Sequence, residues 1–301
     1  MFVTGKKIPI EKTTYLHTLS VVFSNFRILR AAARTVYTIV RDFFLMQSPL
    51  RPKRKRQPVV WIDHPYDRNI PFAPEWVTEY LSFIPLWVTG ITWLVVRFGR
   101  RGIQPLIDSL NEVSLLYRSA ATVYRACQST TVRPSPARNS FRFALIHATD
   151  PHLNCLPSLH VMVVTWAGYR LARRILDLDS SQSAAVEYIR THAKLITETT
   201  LYVKQHSVNC IPAALFVMME LFPGIDTLYG EDFINSLFND TVPGIEDRQA
   251  VTSYMAELYR TFLGARAGGN FASFDRVLLD FLKRYTLESP SDEILPNGES
   301  A

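Results

Sequence analysis

The sequence predicts an all-α fold, a bundle of weakly hydrophobic helices with a helical appendage at its C-terminal end. Three observations lead there. Of the 301 residues 48% are hydrophobic and 20% charged, with mean hydropathy +0.04, so the chain has the apolar material for a core and is not a disordered polymer. The longest uncharged stretches, Tyr80–Val96, Leu153–Tyr169 and Ser207–Met219, read as weak hydrophobic helices that shield one another. In the back third, apolar side chains recur at helical spacing, first at Val251, Tyr254, Met255, Leu258 and Phe262, then at Phe271, Phe274, Leu278, Phe281 and Leu282. With 12 glycines and 3 cysteines, a collagen-like chain and a disulfide scaffold are both excluded.

Taken in order, Thr14–Met46 reads as one helix, apolar around most of its circumference. Arg27, Arg30, Arg34 and Arg41 fall within about a 60° arc at 100° per residue. Two readings fit: the solvated face of a core helix, or an interfacial helix with its apolar side in lipid and its arginines on phosphate. The run Arg51–Arg56 follows and suits a nuclear signal, a polybasic membrane patch or a charged linker. Tyr80–Val96 is the strongest transmembrane candidate, seventeen uncharged residues closed by Arg97, Arg100 and Arg101. As a helix it spans roughly 25 Å, slightly short of a bilayer's hydrocarbon, with a kink expected at Pro85. Pro-rich turns at 133–136 and 151–157 separate further helices, and 177–185 reads as a polar loop. The chain thus divides into a basic amphipathic segment with its linker (1–56), a central bundle (57–224), an acidic helical appendage (225–287) and a polar tail expected to be disordered (288–301).

Charge separates along the same divisions. Residues 1–56 hold twelve Lys/Arg against Glu11 and Asp42, while 225–301 hold six against thirteen Asp/Glu. A basic front beside aromatic-rich helices fits an anionic lipid surface, and no nucleic-acid partner is expected because no recognised binding fold accompanies the basic run. Membrane localisation is the expectation. Cys127, Cys155 and Cys210 make no CxxC pair and no metal-ligand spacing, and Met1–Lys12 lacks the apolar segment of a cleavable signal peptide.

Two histidines stand in chemically suggestive settings. His160 follows a Pro-Ser turn into the helix Val161–Leu176, which Ser158 is placed to cap, leaving N–H groups that favour an anion. His206 closes Thr199-Thr-Leu-Tyr-Val-Lys-Gln-His206, with Lys204 two residues before it, and Arg133 precedes Pro134. Two imidazoles, two cations, a hydroxyl and a helix N-terminus suit phosphoryl transfer through a histidine. The bland reading of each histidine is a structural one. His147 and His152 are expected to satisfy local backbone groups, His192 to be solvated, and Trp61, Trp76, Trp87 and Trp93 to pack. Asp150 is expected to do no more than anchor its turn, and Glu198 lies too far along a helix to serve His206.

These residues resemble the type 2 phosphatidic-acid phosphatase superfamily, in particular its inositol-phosphorylceramide-synthase-like branch. Arg133-Pro134 matches the Arg-Pro element, with Arg125 one place from the usual upstream cation. Cys155-Leu-Pro-Ser-Leu-His160 matches the second element, and Thr199–His206 resembles the third. The segment Asp67-Arg-Asn-Ile-Pro-Phe-Ala-Pro-Glu-Trp76 is also similar, so the likeness covers roughly 62–215. What it implies is a helical enzyme acting on lipid phosphates or phosphodiesters without metal or other cofactor. His206 is then the nucleophile that becomes phosphohistidine and His160 the acid for the leaving group, with Arg133, Lys204 and Ser158 binding phosphate. Water as acceptor makes a phosphatase; a lipid or inositol hydroxyl makes a transferase.

The pattern is departed from in two places. The final Asp, which would fix the tautomer of His206, is replaced by Cys210, and Thr200 stands where many members carry an Arg. On a continuous helix Cys210 would lie one turn from His206, so Cys210→Asp is expected to raise turnover. The opposing reading is a catalytically degenerate relative that serves as a lipid-binding or scaffolding protein.

Overall fold

A computed structural model describes residues 8–47, 57–134, 141–143, 146, 150–241, 243–269 and 271–288. These are 74% helix and 3% strand, the all-α fold that the sequence predicts. The run Arg51–Arg56, His147 and, apart from Glu288, the tail 288–301 lie outside the described residues.

Two helices, α1 (Tyr15–Ser24) and α2 (Phe26–Ile39), replace the single helix expected over Thr14–Met46. The break is at Asn25, whose extended backbone leaves the helix while its side-chain oxygen accepts from the N–H groups of Arg27 and Ile28. Asn caps a helix better than it continues one. Ile28, Ala31, Thr35 and Thr38 form the buried edge of α2. A wider, π-type turn at Val40–Phe44 ends it, with Asp42 fully buried between Arg41 and Arg125.

The next stretch splits as well. Short α3 (Val77–Leu81) and α4 (Phe83–Phe98) meet at Ser82, so Pro85 falls in the first turn of α4, where its missing N–H costs no hydrogen bond. The kink expected inside one helix is therefore a break before the proline. α5 (Ile103–Ala126) runs beneath α2, with Thr35 Oγ1 2.9 Å from Ser114 Oγ. Among the described residues the helical stretch Pro74–Ala126 is long and apolar enough to cross a membrane; half of its most apolar window is buried in protein, and a core helix passes the same test.

β1 (Val59–Trp61) and β2 (Gln128–Thr130) form a two-stranded parallel ladder. It matters because the Pro-Ser turn is hung on it. Ser129 N donates to Leu153 O and Cys155 N to Ser129 O, both at 3.2 Å, and Leu156 N donates to Ser129 Oγ at 2.8 Å. The chain then enters α6 (Leu159–Trp166), in which every residue but His160 is buried. A second π-type turn, Ala167–Leu171, joins it to α7 (Ala172–Leu178). Glu112 of α5 accepts from Trp166 Nε1 and from the guanidinium groups of Arg170 and Arg174, which fixes α5 against this helix.

α8 (Ser183–Tyr202) and α9 (Cys210–Leu221) flank α6 on its other sides. The C-terminal helices α10 (Leu228–Ser236), α11 (Arg248–Ala267) and α12 (Phe274–Glu288) pack on α9, and Val251, Met255, Phe262, Leu278 and Leu282 join the same core cluster as Leu116 and Val161. The periodicity read in this third thus marks inward-facing residues.

Candidate active site

Three segments distant in sequence converge where α6 begins. Ser158 is the N-cap of α6, its Oγ accepting from Val161 N at 3.3 Å, as its place after the Pro-turn predicts. His160 follows in the first turn, its ring stacked on Tyr80 at 4.6 Å and set edge-on against Phe83 at 4.2 Å. His206 comes from the turn between α8 and α9. Its Nε2 lies 3.1 Å from Ser158 Oγ and 3.4 Å from His160 Nδ1.

The other ring nitrogen settles the tautomer. His206 Nδ1 is 3.2 Å from Cys155 O. A carbonyl only accepts, so Nδ1 carries the hydrogen and Nε2 the lone pair. That lone pair points at the space between the serine and the second imidazole. Burial holds His206 well below the ordinary imidazole range, with the neighbouring His160 adding to the effect. Burial alone lowers His160 to about 3. Both rings are therefore neutral near pH 7.

The cations are placed unequally. Arg133 donates from one terminal nitrogen to Asp150 O at 3.0 Å and from the other to Gln205 Oε1 at 2.5 Å, and it pairs with the Asp150 carboxylate at 3.4 Å. Through Gln205, the residue before His206, it stands next to the histidines. Lys204 does not join them. Its backbone is left-handed (φ 52°), which ends α8 and aims Nζ away from the cavity, onto Asp67 O at 2.6 Å and Ile70 O. Arg125 is likewise engaged elsewhere, on buried Asp42 of the π-type turn.

Two cavities meet at His160. A small one of about 20 Å³ is walled by His206, His160, His152, Asn154, Asp150 and Gln205. A larger one of about 290 Å³ is apolar, lined by Phe43, Phe83, Ile84, Trp87 and Tyr117 among others, and its polar end is Asp150 with His160. Phe43, Asp150, Leu159 and His160 are common to both. The small cavity admits one water-sized oxygen; the large one admits alkyl groups.

The structure brings together His206, His160 and Ser158 directly and Arg133 through Gln205. Position 210 corrects the expectation drawn from a continuous helix. His206 is in a turn, not on a helix, and Cys210 opens α9 with its N–H on Ser207 O. The neighbouring charges of its buried thiol are Asp67 and Asp63, while the tautomer-fixing partner of His206 is the Cys155 carbonyl. Asn209 also points elsewhere, its amide donating to Ile62 O and accepting from Tyr254 OH. Glu198 is spent on Phe238 N and Thr241 Oγ1, far from the imidazoles. His192, expected to be solvated, is half-buried and bonded to Tyr188 O.

Sequence reasoning missed four participants. Asp67 accepts from His64 N and Val208 N, both at 2.8 Å, and so shapes the turn that carries His206; burial raises its carboxyl to about 6. Gln205, Asn154 and the Cys155 carbonyl complete the surroundings. These last three lie within four residues of a histidine or cysteine singled out above, but nothing local in the sequence says that a main-chain oxygen or an amide will face an imidazole. Among the described residues no cluster of His, Cys, Asp and Glu could hold a metal ion. Compared with family models, with curated proteins and with solved structures, the chain matches none.

Proposed function

We propose that the chain is a membrane-associated lipid phosphatase or phosphotransferase that works through a phosphohistidine on His206, as its resemblance to the type 2 phosphatidic-acid phosphatases implies. One observation carries this reading: a buried imidazole with its tautomer set by the Cys155 carbonyl presents a lone pair within 3.1 Å of a cap serine and 3.4 Å of a second imidazole. His206 Nε2 attacks phosphorus and forms the P–N bond while the ester P–O bond breaks. The departing oxygen takes its proton from His160. The low basicity that burial imposes on His160 is no obstacle, because an anionic phosphate beside it raises its proton affinity. In the second half an acceptor hydroxyl returns a proton to His160 as its oxygen displaces Nε2 from phosphorus. The 290 Å³ apolar cavity ending at His160 suits an alkyl chain on the substrate.

Membrane association is supported by α1, α2 and the π-type turn after them. Leu16, Leu19, Phe23, Phe26, Tyr37 and Phe44 are exposed there, an apolar face beside exposed Arg27, Arg30, Arg34 and Arg41. An anionic bilayer complements both features at once. The second reading, a catalytically silent lipid-binding relative, is favoured by one specific observation: Lys204 is spent on backbone carbonyls, leaving Arg133 as the cation at the site.

The test is turnover of purified full-length protein on lipid phosphates and phosphodiesters, with trapping of an acid-labile phosphoprotein. His206→Ala is expected to abolish both. In His160→Ala, loss of an alkoxide should slow by roughly 10²–10⁴, and loss of an activated aryl oxide far less. A protein that binds lipid vesicles but forms no phosphoenzyme with any of these substrates supports the second reading.

A further inference from the structure

Asn154 is buried, 7% exposed, and lines the small cavity beside His206. Neither its Nδ2 nor its Oδ1 has a hydrogen-bond partner among the described residues. An unpaired buried amide forfeits its hydration without compensation, so such a group calls for an explanation. Mobility is not one: the backbone on either side is fixed by the bridge between Asn154 and Ser129. The main chain thus fixes residue 154 at the wall of a cavity of about 20 Å³, which has room for a single oxygen atom.

We propose that Asn154 is an oxyanion-binding residue, its side-chain N–H group donating to one non-bridging phosphoryl oxygen seated in that cavity while the rest of the phosphate lies at the junction by His160. The inference deepens the proposed phosphoryl-transfer reading and rests on it for the identity of the anion. An amide suits the place electrostatically. Arg133 and Asp150 already balance each other there, and an amide donates without adding a charge that must be desolvated. It also stands in for Lys204, whose ammonium is held on the carbonyls of Asp67 and Ile70.

The test separates a ligand-binding amide from a structural one. Thermal unfolding of the full chain is followed with and without orthovanadate, at constant ionic strength, for wild type, Asn154→Leu and Asn154→Val. Leu keeps the number and branching of the side-chain heavy atoms, Val is one atom shorter, and both remove an amide that has no partner among the described residues. At least one should match or exceed wild type in ligand-free Tm, while the apparent vanadate affinity weakens roughly ten- to a hundredfold. Loss of ligand-free stability in both variants assigns the amide to the fold or to a water and overturns the proposal. An unchanged vanadate response overturns it too, as does a wild type that vanadate does not stabilise. Turnover on the same preparations tells the two readings apart. Vanadate binding through Asn154 without turnover keeps this inference and removes the enzyme, and turnover that Asn154→Leu leaves unchanged does the reverse.

Discussion

The two ends of the chain use the same helical periodicity in opposite ways. In α11 and α12 the apolar stripe points inward: Val251, Met255, Phe262, Leu278 and Leu282 are buried, and beyond residue 146 Leu228 is the sole exposed large hydrophobic among the described residues. In α1 and α2 the buried edge is narrow and includes Thr35 and Thr38, while Leu16, Phe23 and Phe26 are more than 70% exposed. Charge follows suit, acidic at the C-terminal end and basic at the N-terminal end. An amphipathic pattern fixes that a helix has two faces, but not which medium each face meets. Where polar residues cover the outside the medium is water. Where apolar residues and arginines cover it, the proposed medium is an anionic bilayer.

The largest expected effect comes from breaking the apolar face. Leu16→Glu, Phe23→Glu and Phe26→Glu together should lower binding to phosphatidylserine vesicles by roughly a thousandfold or more, since each side chain contributes on the order of 1.5–3 kcal/mol when buried. Vesicle flotation reads this, with Leu228→Glu as the control that should leave binding unchanged. If the triple variant still floats with vesicles, the outward face meets something other than lipid.

The interior supplies the next effect. Cys210→Asp places a carboxylate at a fully buried position that already feels the carboxyl groups of Asp67 and Asp63, so destabilisation of about 3 kcal/mol is expected with no gain in turnover. Thermal unfolding and turnover of the purified variant check both halves. A rise in turnover would restore position 210 to the catalytic apparatus.

Removing the arginine stripe should act more gently. Arg27→Gln, Arg30→Gln and Arg34→Gln should weaken binding to anionic vesicles roughly a hundredfold, at about 1 kcal/mol for each charge, and leave binding to neutral vesicles nearly unchanged. Equal loss on both vesicle types would assign these side chains to packing.

The smallest effect is on pH dependence. His160 falls from 6.5 to about 3 on burial, so the unfolded chain binds its proton first as pH drops. The stability held by the neutral ring is present above pH 6.5 and is lost as pH falls toward 3, about 2 kcal/mol of it by pH 5. Asp67, raised to about 6, works in the opposite direction, its contribution being present at low pH and lost as pH rises through 6. His160→Gln should therefore flatten the loss of Tm between pH 7 and pH 5, and an unaltered slope would mean that the ring is charged in the native protein.

What the sequence determined by itself was local. The helical class, the Ser158 cap and the inward stripe of the C-terminal helices follow from residues within a turn or two of each other, because caps and the 3.6-residue period act over that range. Asn25 and Pro85 were equally local signals, and both mark helix boundaries where one continuous helix was expected. Tertiary structure decided everything that joins residues some fifty positions apart. The Cys155 carbonyl reaches His206 across 51 residues and Ser158 reaches it across 48. The left-handed turn at Lys204 sends an ammonium to Asp67, 137 residues away, instead of to the site. No periodicity encodes these contacts. They exist because β2 holds the Pro-Ser turn at the start of α6 and packing brings the α8–α9 turn over it, so the surroundings of His206 and the cavity beside Asn154 become visible only once the helices are assembled.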